Sequence, residues 1–191
     1  MDVATINHII KNRRSSFVKQ FKPGGNIDNA IIEQLLENAN WAPNHKQTEP
    51  WRFTVFTGEG IKKLAAYQAQ LYKETAGTSY KQDKYEKLLE SPLLCTHIIA
   101  IGMKRHPVVP LVEDIAAVSM AVQNMYLTAA AYSFGCYWTT GGITYEPRAK
   151  TFFNLGDDDL LMGFLYIGEI AVASPQGTRK PIADKVTWIT Q

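Results

Sequence analysis

Residues 113–142 read EDIAAVSMAVQNMYLTAAAYSFGCYWTTGG, and between residues 115 and 145 no side chain carries a charge. That run is long enough to span a bilayer. Ser119, Gln123, Asn124, Thr128 and Ser133 interrupt it, however, and it is rich in Ala rather than Leu. The Gly141-Gly142 pair then breaks any helix. The pattern predicts a helix over 113–134, buried on most faces, and no membrane span. In a chain of 191 residues, a helix this apolar must be covered on two sides. A sheet can cover one side and a second subunit the other.

The flanking sequence supplies that sheet. RFTVFTG (52–58) alternates with period two and reads as a strand. LLCTHIIAIGM (93–103) and LLMGFLYIGEI (160–170) are apolar runs of buried-strand type, and CYWTT (136–140) is short and strand-like. Helices are expected over 4–12, from Asp28 to Pro43, after Gly60, over 80–89 and over 148–153. Helices and strands therefore intermix around a sheet of three or four strands, in an α/β or α+β arrangement. The reading is one domain over 1–191, with no linker and no repeat. Its tail, 171–191, still carries Val186, Trp188 and Ile189 and must pack on its own domain or on a neighbour.

Composition narrows the function classes. Apolar residues make up 46% of the chain, enough for a core, and the net charge of +2 is too small for a nucleic-acid or membrane-surface binder. Cys95 and Cys136 have no CxxC or metal-type spacing and read as buried free thiols, which fits a reducing cytoplasm. The N-terminus lacks an apolar h-region, so a cytoplasmic location is expected.

Three polar clusters stand out. Arg13-Arg14-Ser15-Ser16 offers two guanidinium forks and two hydroxyls to a phosphate, or is a solvated helix end. APNHKQTEPWRF (42–53) crowds Asn44, His45, Lys46, Gln47 and Glu49 between two prolines, just before a strand. Arg179-Lys180-Pro181 is a short basic patch in the tail. No GxGxxG follows a strand, and no GxxxxGK[ST], HExxH or GxSxG occurs. Asp157-Asp158-Asp159 reads as a solvated turn, so no metal site is expected. The chain offers anion donors without an acid–base or nucleophilic set. That combination suits an enzyme whose cofactor carries the chemistry.

RRSS near the N-terminus, then AP-N-H-K-x-x-E-PWRF entering a strand, resembles the FMN-dependent nitroreductase family. AVSMAVQNMYLTAAAYSFGCYWTTG, FLYIGEI and TRKP follow in that family's order, so the resemblance covers nearly the whole chain. It is nearest to the short bacterial, YdjA-like branch. It implies an α+β fold with a central mixed sheet flanked by helices. It also implies a homodimer with exchanged C-terminal tails and FMN at the subunit interface.

Carried over by motif, Arg13, Arg14 and Ser15 would hold the FMN phosphate, with Arg179 and Lys180 reaching it from the tail. Pro43, Asn44, His45, Lys46 and Gln47 would lie beside the ring and ribityl chain. Thr139, Thr140 and Gly141 would bring a backbone N–H to flavin N5. Lys87 matches a family lysine near the ring. Trp138 is an aromatic wall for planar substrates or a core residue.

The implied activity is ping-pong hydride transfer from NAD(P)H through FMN to an electron-poor small molecule such as a nitroaromatic or quinone. Glu49 stands where many members carry Gln, and no long lid is evident. Three rivals stay open: a flavin storage or sensing protein, a flavin dehydrogenase or dehalogenase on this fold, and a cofactor-free interaction protein.

Overall fold

The computed structural model describes residues 2–191. Its centre is β2 (His97–Met103), buried at every position. Ile99, Ile101 and Met103 face one side of the sheet and Ile98 and Ala100 the other, as the two-residue strand period requires. A strand wetted on neither face reads in sequence as an unbroken apolar run. β1 (Trp51–Thr57) and β4 (Leu160–Glu169) flank β2, and β3 (Phe134–Thr139) pairs outside β4, giving the order β1-β2-β4-β3.

All three pairings are antiparallel. This corrects the expected mixed sheet. β2 and β3 do run the same way, but β4 is inserted between them and opposes both. Parallel pairing among the described residues is confined to an isolated Ser15–Cys136 bridge. The fold is α+β.

α2 (Asn29–Asn40) and α5 (Leu111–Ala131) cover one face of the sheet through Ile32, Leu35, Ala39, Val118, Val122 and Met125. α3 (Glu59–Thr75) covers the other through Ile61, Leu64 and Leu71, together with Phe153 and Leu155. Asp28 caps α2 by accepting from the Ala30 N–H at 2.9 Å. α5 begins after Pro110 and ends before Ser133, whose φ of 63° stops it three residues short of the expected Phe134. Its second cover comes largely from α2 of the same chain: Asn38 Nδ2 donates to Thr128 Oγ1, and Asn124 Nδ2 donates to the Asn38 carbonyl, both at 2.9 Å.

Among the described residues, no helix is long and apolar enough to cross a membrane. β2 starts later than expected, because 91–94 form a 3-10 turn around Pro92. The expected helix over 80–89 is α4 (Gln82–Glu90), and that over 148–153 shrinks to α6 (Ala149–Phe152).

α1 (Val3–Asn12) buries no residue within the chain and leaves Ile6 and Ile10 exposed. The tail from 171 onward is extended apart from one turn at Ile182–Lys185. Trp188 and Ile189 are 84% and 87% exposed.

His97 opens β2 almost fully buried. Its ring spans Asn29 Oδ1, at 2.9 Å from Nε2, and Thr96 Oγ1, at 3.2 Å from Nδ1. Burial disfavours the charged form and pushes its pKa below the usual value of 6.5. The folded state therefore binds the proton less readily than the unfolded chain does. The stability this contributes is complete above the unfolded value and is lost as pH falls through the folded one. Urea midpoints are expected to drop between about pH 7 and pH 5, and to drop less in His97→Gln. Equal slopes in the two proteins would exclude His97 as the source.

Candidate functional site

Site residues gather along the outer edge of β3. Because β3 is the last strand, its outward backbone groups need other partners. The Cys136 carbonyl accepts from the Ser16 N–H at 2.9 Å, and the Trp138 N–H donates to the Tyr126 hydroxyl at 2.6 Å. Tyr126 lies on α5 and is 7% exposed. The Arg13 guanidinium sits 5.0 Å from its ring centroid, a cation–π contact, and Ser15 Oγ is 3.5 Å from its oxygen. Burial pushes the Tyr126 hydroxyl above its usual pKa of 10, so it stays protonated at neutral pH.

Arg14 turns the other way. It donates to the carbonyls of Lys11 (2.7 Å) and Arg13 (2.8 Å), closing the end of α1. Its Nε is buried without a hydrogen-bond partner. It belongs to a pocket of about 200 Å³ lined by Arg13, Arg14, Ser16, Ser133 and Ser174, among others.

The root of the tail is pinned here as well. Ser174 Oγ lies 3.2 Å from Ser16 Oγ and donates to the Ser15 carbonyl at 3.1 Å. Gln20 Nε2 donates to the Val172 carbonyl at 3.1 Å. A Cβ on Gly177 would come within 2.8 Å of the Arg14 guanidinium, so the tail backbone lies directly over it. Arg179 follows two residues later, within about 7 Å of chain reach. It is exposed and donates to the Thr178 carbonyl, and Lys180 is exposed beside it.

Further along β3, a cavity of about 520 Å³ opens between Trp138, Thr140, Ile115, Ser119 and Met162. Ile115, Ser119 and Tyr126 are spaced by four and seven residues, so the cavity and the Arg13 cluster share one stripe of α5. From Cys136 to Thr139 the strand rises about 10 Å. Trp138 is half-buried; its indole N–H donates to the Met162 carbonyl at 3.0 Å, where β4 bulges. Thr139 Oγ1 accepts from the Gly141 N–H at 3.3 Å, and Thr140 and Gly141 are exposed.

The loop Pro43-Asn44-His45-Lys46-Gln47 lies elsewhere. His45 Nδ1 pairs with Glu113 Oε2 at 2.5 Å, and Lys46 Nζ donates to the Val108 carbonyl at 3.2 Å. Glu113 and Tyr126 are 13 residues apart on α5, about 20 Å along its axis. One chain therefore does not bring this loop to the Arg13 cluster. Lys46, Gln47 and Glu49 all adopt positive φ (53°, 52° and 42°), an uncommon strain for non-glycine residues. The Asn44 side chain braces the turn by accepting from the Glu49 N–H at 3.1 Å. Lys87, on α4, is exposed.

Sequence reasoning missed Tyr126, Ser174 and the Asp114 group. Asp114 is 1% exposed, accepts from Arg105 at 2.8 Å and from the His106 N–H at 3.1 Å, and anchors the loop that carries Val108. A tyrosine inside a charge-free helix was the available signal, because a buried phenol needs a polar partner.

Against known proteins, residues 10–169 match the Nitroreductase family. YdjA of Escherichia coli K12, named as a candidate NAD(P)H nitroreductase, is 29% identical over 161 residues, covering 84% of this chain and 85% of its own. The crystal structure of a nitroreductase-like family protein from Bacillus cereus superposes with a TM-score of 0.81 at 29% identity, covering 99% of this chain and 98% of that one. A nitroreductase with bound FMN from Bacteroides fragilis shares the fold with a TM-score of 0.70 at 18% identity, covering 97% and 98% of the two chains. The match spans most of the chain and ends where β4 ends: this protein belongs to the nitroreductase family.

Proposed function

We propose that the protein is an FMN-dependent NAD(P)H oxidoreductase of the nitroreductase type, acting as a homodimer in the cytoplasm. The observation that carries the reading is the pocket at Arg13, Arg14, Ser16 and Ser174, which gathers two guanidinium groups and two hydroxyls. A phosphate dianion fits such donors, because charge-assisted hydrogen bonds are strongest to fixed guanidinium forks. The edge of β3 then leads from this pocket to the apolar cavity at Trp138 and Thr140. FMN, when bound, supplies a centre that accepts hydride from NAD(P)H and passes it to an electron-poor acceptor, such as a nitroaromatic or quinone, in ping-pong order.

The chain's own residues bind and orient. Arg13, Arg14 and Ser15 would hold the phosphate, joined by Arg179 and Lys180. Thr139, Thr140 and Gly141 would set a backbone N–H against the ring, and Gly141 permits close approach. Trp138 and the aliphatic cavity wall would exclude water. Lys46, with Lys87, would stabilise negative charge developing on the reduced ring.

Lys46 lies about 20 Å along α5 from the Arg13 cluster, so a second copy has to bring its own loop to complete the site. The exposed apolar residues of α1 and the tail supply a surface for that copy; of the expected 171–191 tail, the root through Gly177 stays on its own chain, and the part beyond it would pack on the copy. Cys95 and Cys136 are free and buried, with thiols pushed up to about 12, as suits a reducing compartment.

The test is the visible spectrum and sedimentation mass of the purified protein, before and after NADPH or NADH addition without oxygen. A flavin spectrum that bleaches, on a particle of two chains, is expected. A bound flavin that neither donor bleaches would replace the enzyme by a storage or sensing protein. No flavin after incubation with FMN would overturn the cofactor assignment.

A further inference from the structure

We propose that Tyr126 is the positioning residue that couples the phosphate clamp to the ring-facing end of β3. The proposal rests on the FMN reading above and adds to it a residue to which the resemblance assigned no role. Tyr126 touches both halves of the candidate site at once. Its ring lies under the Arg13 guanidinium, 5.0 Å from centroid to carbon. Its oxygen accepts from the Trp138 N–H at 2.6 Å, two residues before Thr140. That oxygen's own proton remains for Ser15 Oγ, at 3.5 Å.

The geometry gives the two contacts different jobs. Trp138 is the last residue but one of β3, and Thr140 follows the strand directly. Fixing the Trp138 N–H therefore fixes the line along which Thr140 leaves the sheet. Arg13 has no carboxylate partner among the described ion pairs. The face of Tyr126 orients it without neutralising it, which leaves its full charge for an anion. A leucine would fill part of the space but provide neither contact.

The two jobs separate in a titration of apoprotein with FMN and with riboflavin, which lacks the phosphate. Tyr126→Phe keeps the ring under Arg13 but leaves the Trp138 N–H unpaired. It is expected to bind both flavins about ten-fold more weakly, with a shifted visible spectrum of the bound flavin. Tyr126→Leu also loses the face under Arg13, and is expected to lose a further three- to ten-fold, roughly, for FMN only. Urea midpoints taken alongside show that each variant is folded.

Equal FMN affinity and spectrum in wild type and both variants would overturn the proposal. So would a Leu variant that loses FMN and riboflavin equally relative to Phe, since a packing role alone predicts that. Wild-type protein that binds neither flavin would instead refute the FMN reading, and the role of Tyr126 in it.

Discussion

Replacing Arg13 and Arg179 together with alanine is expected to raise the FMN dissociation constant by roughly 100-fold or more. Each arginine can offer a charge-assisted hydrogen bond worth about 1.5–3 kcal/mol, and the phosphate keeps its charge when they are gone. Neither side chain is buried in the core. Arg13 lies over Tyr126, and Arg179 is exposed in the tail. The variant should therefore fold with a urea midpoint near that of the wild type. Riboflavin affinity, which draws nothing from the phosphate, should change little. Fluorescence titration with the two flavins reads both expectations. An unchanged FMN affinity in the double variant would remove the phosphate assignment from both arginines.

Gly163→Ala is expected to have the largest effect on stability. Gly163 sits beside the β4 bulge with a φ of 113°, a region that side chains rarely enter. A Cβ there would lie 2.2 Å from the Thr139 carbonyl oxygen and 3.1 Å from Trp138 Nε1. The first of these is backbone and cannot swing aside. Either β3 separates from β4 or the bulge rearranges, at a cost of roughly 3 kcal/mol or more. The displaced strand carries Thr139 and leads to Thr140 and Gly141. Any folded fraction should therefore also bind flavin poorly. Urea denaturation gives the first quantity. A shift within about 0.5 kcal/mol, typical of a neutral surface change, would show that the bulge has room the geometry denies.

Much of the fold was legible in the chain, for reasons that differ by element. β1 announced itself by its aromatic and β-branched run, which sets Trp51 and Phe53 against the core on one side and Phe56 against the core on the other. β2 and β4 announced themselves by unbroken apolarity, since both of their faces are covered. The strand directions were not legible. Nothing local in LLMGFLYIGEI says that it enters between β2 and β3 and runs against both.

The candidate site was legible where residue type alone suggested chemistry, as at Arg13-Arg14-Ser15. It was hidden where chemistry depended on a distant partner. Ser174 means nothing until the tail root folds onto Ser16. Tyr126 reads as core until β3 brings it the Trp138 N–H. The loop at His45 drew notice for its crowded polar residues, while the positive φ of Lys46, Gln47 and Glu49 appears only in the structure. Its distance from the arginines appears only once α5 is seen to separate them.

The outer edge of β3 has one more consequence. An edge strand with open N–H and C=O groups is a template on which another chain can polymerise. Here the Ser16 N–H and the Tyr126 hydroxyl take up the groups at Cys136 and Trp138. The contacts that shape the proposed ligand clamp thus double as a guard against aggregation. A variant that loosened the clamp to admit a different ligand would bare an adhesive strand. On the proposed reading, solubility and ligand chemistry therefore depend on the same few residues.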